Sequence, residues 1–106
     1  MRRFASLRRQ GDFTRLRQRG RRTASANLTF YRADAAPADE RPLVGITVSK
    51  SVGTAVARNL LRRRLAAIIH ELLPDHARMR LLVVPRPSAA AISFPQLRDE
   101  VRRVLV

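Results

Sequence analysis

Residues 49–73 read SKSVGTAVARNLLRRRLAAIIHELL, and Pro74 closes the stretch. Gly53 and Thr54 supply a turn and an N-cap, so a helix is predicted from 54 to 73. Ala57, Leu61, Leu65, Ile68 and Leu72 recur at spacings of four, four, three and four, which at about 100° per residue forms one apolar stripe facing a core. Arg58, Asn59, Arg62 and Arg63 are predicted on the arc away from that stripe, with Ala66 and Ala67 near them keeping the surface low. No acidic residue occurs between Arg41 and His70. A solvated helix usually mixes signs to gain i,i+4 pairs. This one does not, so its basic face points to an external polyanion; the alternative is an ordinary solvated face.

Composition bounds the rest. The chain has 106 residues, enough for a single domain, 1–106, with one modest core. Its net charge is +14, and 21 of its 22 basic residues are Arg. Arg forms planar, bidentate contacts with phosphate and stacks on bases. Nucleic acid is therefore the first partner to consider, and a membrane surface the second. Cysteine is absent, which excludes disulfides, thiolate nucleophiles and cysteine–zinc sites and fits a reducing cytoplasm. The N-terminus has charge but no apolar core of a signal peptide, and no apolar run approaches the roughly 20 residues that span a bilayer.

Along the chain, residues 1–9 read as a loosely ordered basic arm. A short helix begins at Gly11-Asp12-Phe13, with Asp12 as its cap, and stops at Gly20; Phe13 and Leu16 share a face. Residues 23–32 alternate as a strand, Leu28 and Phe30 one way, Thr29 and Tyr31 the other. Residues 33–42 form a polar loop holding three of the eight acids. Residues 43–49 make a second strand, with Val44, Ile46 and Val48 facing the long helix and Gly45, Thr47 and Ser49 facing away. These two strands are expected to pair antiparallel. The face bearing Tyr31, Thr29, Gly45, Thr47 and Ser49 is then an open polar floor with one aromatic on it, suited to a single strand whose bases stack on rings. The bland alternative is a half-buried strand tyrosine. Residues 80–86 are an apolar, central third strand, parallel to 43–49 and ended by Pro85. Ser93-Phe94-Pro95-Gln96 is a capping box opening a last helix, 94–105, expected to bury Phe94, Leu97, Val101 and Val104 or Leu105. Asp99 and Glu100 are expected to pair with Arg103.

No catalytic constellation is visible. The acids are scattered; His70 and His76 are six apart across Pro74, wrong for two metal ligands on one helical face, and read as surface histidines. The four glycines fit neither a dinucleotide nor a phosphate-loop spacing. Catalytic and metal-ligating residues are expected to be absent.

Val48-Ser49-Lys50, then Val52-Gly53-Thr54-Ala55-Val56-Ala57-Arg58-Asn59 and Arg62-Arg63-Arg64-Leu65, resemble the bacterial ribonuclease P protein subunit. Asp12-Phe13, Gly20, Tyr31, Arg86 and Ser93-Phe94 agree in order, so the resemblance covers nearly the whole chain. It implies an α+β fold of order α-β-β-β-α-β-α, a sandwich with a small mixed sheet, like the second domain of a small-subunit ribosomal protein. It also implies a left-handed β-α-β crossover, where general rules favour the right-handed one. It implies a subunit that binds the catalytic RNA through Arg58, Asn59, Arg62 and Arg63. The single-stranded 5′ leader of precursor tRNA would be bound through Phe13, Arg17, Tyr31, Ser49, Lys50 and Arg86. The RNA would cut the leader with bound Mg2+; no membrane or small-molecule partner is implied. Against the family pattern, Ser51 stands where a second Lys is usual, Leu60 follows Asn59 in place of Arg, Ala66 replaces a basic residue and Arg17 an aromatic. The competing readings are a general RNA-binding or ribosomal protein, and a cationic membrane-surface protein. The last would need a large exposed apolar helix face.

Overall fold

The computed structural model describes residues 3–74 and 76–106. Five strands, β1 (Ala5–Ser6), β2 (Arg21–Ala24), β3 (Leu28–Asp34), β4 (Leu43–Ile46) and β5 (Met79–Pro85), form one mixed sheet in the order β1-β4-β5-β3-β2. Three α-helices, α1 (Gln10–Arg19), α2 (Ala55–Leu72) and α3 (Phe94–Leu105), complete the α+β domain. Short 3-10 turns follow β4 at Lys50–Val52 and β5 at Pro87–Ala91.

The predicted long helix is α2. Thr54 caps it, its hydroxyl accepting from the Ala57 N–H at 3.2 Å. Leu61, Leu65 and Ile68 are buried as the stripe required, and Ile69 joins them. They pack with Leu28, Phe30, Val44, Leu81 and Val83 of the sheet, and with Leu97, Val101 and Leu105 of α3, in the main core. β5 is central, as its apolar run predicted, and parallel to β4, as expected for a strand that follows a helix. The capping box of α3 is complete: the Ser93 hydroxyl accepts from the Gln96 N–H, and the Gln96 side chain accepts from the Ser93 N–H.

Several expectations are corrected. Strand 23–32 is instead a hairpin, β2 and β3, broken at Ser25–Asn27. The three strands between the first two helices therefore match the order implied by the family resemblance; β1 is additional. β3 and β4 do not pair with each other, because β5, buried on both faces, inserts between them. The 43–49 strand ends at Ile46, although the Thr47 N–H still donates to Val83 O at 3.0 Å. The basic arm is not loose from Arg3 onward: β1 pairs with β4, and Phe4 and Leu7 are buried. Ala66 belongs to the core rather than the basic surface, while Phe94 is 38% exposed.

Asp12 does not cap α1. It lies in the first turn, and its carboxylate accepts from Arg80 at 3.1 Å. Glu100 is buried, and its main partners are Ser25 and Asn27, with Arg103 adding only the weakest of the attractions it feels. Its carboxylate accepts from Ser25 Oγ at 2.5 Å, from the Asn27 N–H at 2.8 Å and from Asn27 Nδ2 at 2.7 Å. Burial alone would push its pKa up; these hydrogen bonds outweigh that and hold it below the usual value. Glu100 thus pins the β2–β3 turn onto α3. His70 is not simply a surface residue: its Nδ1 accepts from the Arg3 N–H at 2.9 Å.

Candidate nucleic-acid interface

The polar floor expected on the second sheet face is partly roofed. Gly45, Leu82, Tyr31 and Arg22 are register partners across β4, β5, β3 and β2, so they form one row on that face. α1 lies across it. The helix starts above β4, where Phe13 sits on Gly45, and ends above β3, where Gly20 meets the Arg32 carbonyl. Leu7, Leu16 and Leu82 form a small second core beneath it, with Phe13, Tyr31, Ala33, Leu43 and Val84 at its margin. Glycine lets the ring sit directly on the strand: a Cβ at 45 would lie 2.7 Å from Phe13 Cε1 and force the ring to shift. Gly20 is equally constrained, since a Cβ would lie 2.5 Å from Leu16 O.

Arg80 ties α1 to the 35–42 loop. Its Nη1 donates to Asp12, while its Nε and Nη2 donate to the two oxygens of Asp39 at 2.9 and 3.0 Å. The hydrogen bonds from Arg80 hold the Asp39 pKa below the usual carboxylate range, and Asp39 in turn raises that of Arg80. An acid of the polar loop is thereby used inside the protein, away from the basic surfaces.

Two concavities flank Phe13. One, of about 410 Å³, is lined by Gln10, Phe13, Thr14, Arg17, Gln18 and Thr47. The other, of about 270 Å³, runs past Phe4, Leu7 and Gly45 to Arg62 and Arg63 of α2. Phe13 and Arg17 therefore share a cleft with Thr47, from which the exposed Ser49 and Lys50 continue. The Ser49 and Ser51 hydroxyls are 2.6 Å apart. Tyr31 is half-buried on the same sheet face as this cleft. Arg86 plays a structural part instead, its Nη1 donating to the carbonyls of Ser25 and Leu28 and so holding the β2–β3 turn.

On α2, Asn59 and Arg63 are exposed, and Asn59 Oδ1 accepts from Arg62 Nη1 at 2.7 Å. Arg58 differs from the expectation. Its angular position falls near that of Leu65, so it is half-buried on the core side, and its Nε is buried without a hydrogen-bond partner. The ion pairs seen among the described residues join Arg80 to Asp12 and Asp39, and Arg98 to Glu71. None of them involves Arg58, Arg62, Arg63 or Arg64. Among the described residues, Arg58, Arg62, Arg63 and Arg64 thus have no ion-pair partner in space, as the acid-free sequence around them predicts.

Sequence reasoning missed Thr47 as a cleft wall, Gly45 as the seat of Phe13, and Arg22 beside Tyr31. Alternation had assigned Gly45 and Thr47 to the right face. What it lacked was the path of α1, a long-range contact with no local signal.

The family profile described as Ribonuclease P matches residues 1–106. A ribonuclease P protein component from Acidothermus cellulolyticus is 40% identical over 100 residues, covering 93% of this chain and 83% of that one. One from Pseudarthrobacter chlorophenolicus is 38% identical over 95 residues, covering 89% and 69%. Among solved structures, the RNase P protein of Staphylococcus aureus superposes with a TM-score of 0.82 at 23% identity, covering 94% of this chain and 91% of that one. That of Thermotoga maritima gives 0.80 at 20%, covering 94% of each.

Proposed function

The chain belongs to the ribonuclease P protein family across residues 1–106, and on that premise we propose that it binds the catalytic RNA through α2 and the 5′ leader of precursor tRNA through the α1 cleft. It is a protein component of the ribonuclease P ribonucleoprotein, which processes tRNA 5′ ends. The observation carrying the reading is the arginine face of α2, without ion-pair partners among the described residues, beside a polar cleft with one aromatic, Phe13, in its wall.

Arg62 and Arg63 neutralise RNA phosphates and release their counterions. Asn59, already ordered by Arg62, presents its amide Nδ2 as a donor. Arg58 lends charge and supports the first turn of the helix, with less of its guanidinium free to reach out. In the cleft, the ring of Phe13 offers a face to a base, with Tyr31 further along the same sheet surface. Arg17 and Lys50 meet the leader phosphates, and Ser49 contributes a hydroxyl. Arg86 acts through the β2–β3 turn that it holds.

No group of three or more His, Cys, Asp or Glu converges among the described residues, and Asp12, Asp39, Glu71 and Glu100 are each engaged by the chain's own donors. The Mg2+ implied by the family is assigned to the RNA, and the bond-breaking step with it. No described helix is long and apolar enough to cross a membrane; a cytoplasmic site of action accompanies the proposed partners.

The test compares precursor tRNA carrying a leader with mature tRNA, in the presence of the cognate RNA at low magnesium. The protein should favour the precursor and accelerate its cleavage, and Tyr31→Ala should weaken precursor binding by about 1–3 kcal/mol. Equal affinity for both tRNAs would favour a general RNA-binding protein instead.

A further inference from the structure

Arg19, Arg21 and Arg32 gather at the edge of the sheet farthest from β1, lining with Ala33 and Asp34 a shallow hollow of about 310 Å³. Arg21 and Arg32 are register partners, so their side chains leave the same face of the sheet about 5 Å apart at Cβ. Like charges directly opposite one another are destabilising in a ladder. All three arginines are exposed, and none of the ion pairs or hydrogen bonds among the described residues occupies their guanidinium groups. Asp34 lies at the rim without forming an ion pair to any of them. The cluster does nothing for packing.

Strand alternation separates Arg21 and Arg32 from the cleft, while Arg19 and Ala33 close the hollow from the α1 side at the sheet's edge. Tyr31 and its partner Arg22 leave the face under α1; Arg21 and Arg32 leave the other. A single strand lying beside Phe13 does not meet them. The hollow also has no aromatic lining, and the donors that its three arginines bring together there match phosphate oxygens.

We propose that Arg19, Arg21 and Arg32 form a second phosphate-binding surface, occupied by the backbone of a helical segment of the RNA subunit. It lies at the opposite sheet edge from Arg62 and Arg63. Three to four strand spacings of about 4.8 Å already separate the two surfaces by at least roughly 15 Å within the sheet, so the protein bridges two stretches of backbone. The inference rests on the reading that the RNA subunit is the partner of this chain.

The test titrates the RNA subunit with wild-type protein, Arg21→Gln/Arg32→Gln and Arg62→Gln/Arg63→Gln across a salt series. Losing two phosphate contacts at β2–β3 should lower the slope of log K against log salt by roughly 1.4–1.8. The preference for a long over a short leader should stay unchanged, and the free protein should melt no lower. Arg21→Lys/Arg32→Lys should keep the slope. If only the α2 variant lowers the slope, the second surface is overturned and the α2 reading stands. If neither does, both fall. A loss confined to long-leader precursor would overturn the assigned occupant.

Discussion

Gly45→Ala tests whether the cleft is built as described. The backbone at 45 is not in the left-handed region, so an alanine is resisted by space alone. Its Cβ would meet Phe13 Cε1 at 2.7 Å, Phe13 Cζ at 3.1 Å and Leu7 Cβ at 3.3 Å. Restoring ordinary carbon–carbon contact at about 3.5–4.0 Å requires the ring to move by roughly 1 Å. Overpacking of this kind costs about 1–3 kcal/mol, offset by the roughly 0.5–1 kcal/mol that alanine gains over glycine in a strand. A net loss of about 1–2 kcal/mol lowers the melting temperature by roughly 5–15 °C in a domain of this size. The displaced ring also loses part of a stacking contact worth about 1–3 kcal/mol, so leader-bearing precursor should bind about 3–30-fold more weakly, with mature tRNA unaffected. The assay is a double-mutant cycle with Phe13→Ala, read by thermal melting and by precursor binding. With the ring gone, both penalties of Gly45→Ala should nearly vanish. If alanine at 45 costs the same with and without Phe13, the ring does not rest on Gly45 and the cleft is misdescribed.

Glu100→Ala strips three hydrogen bonds from the β2–β3 turn and should destabilise the fold by about 2–4 kcal/mol, measured by urea unfolding. Because the folded-state pKa of Glu100 is lowered, its stabilisation is complete above the unfolded value of about 4.3 and is lost as pH falls through the folded one. Between pH 5 and 3, Glu100→Gln should therefore lose less stability than wild type; parallel acid curves would contradict this. Arg80→Ala leaves Asp12 and Asp39 without their shared donor and should cost about 2–4 kcal/mol, with faster amide exchange in α1 than in α2. Ser93→Ala removes one arm of a capping box remote from the cleft and should cost about 1 kcal/mol without changing leader preference.

Most of α2 was legible because a cap, an apolar period and a terminating proline all act within one helix. β5 was legible for a similar reason: a strand buried on both faces has no polar face to mark, so its sequence is simply apolar. The hairpin of β2 and β3 was hidden because Arg21–Ala24 is exposed on every residue and carries no alternation. Strand neighbours were misjudged because adjacency in sequence is only a tendency, and a later strand inserted itself. Arg58 was assigned to the outer arc with Asn59, Arg62 and Arg63 as a group, although 100° steps already set it close to Leu65. Glu100 was read as a helix-surface acid because its partners, Ser25 and Asn27, lie more than 70 positions away.

The two cores are unequal, and that inequality has a mechanical outcome. The α2–α3 side is anchored by a deep layer of aliphatic side chains, whereas α1 is fastened by Leu7, Leu16 and Leu82 and by the Arg80 tether. The first helix is therefore held by less buried apolar surface than the second, so it is the part of the fold that opens at lower free-energy cost. Amide exchange that spreads from α1 while α2 stays protected would be the signature of that difference.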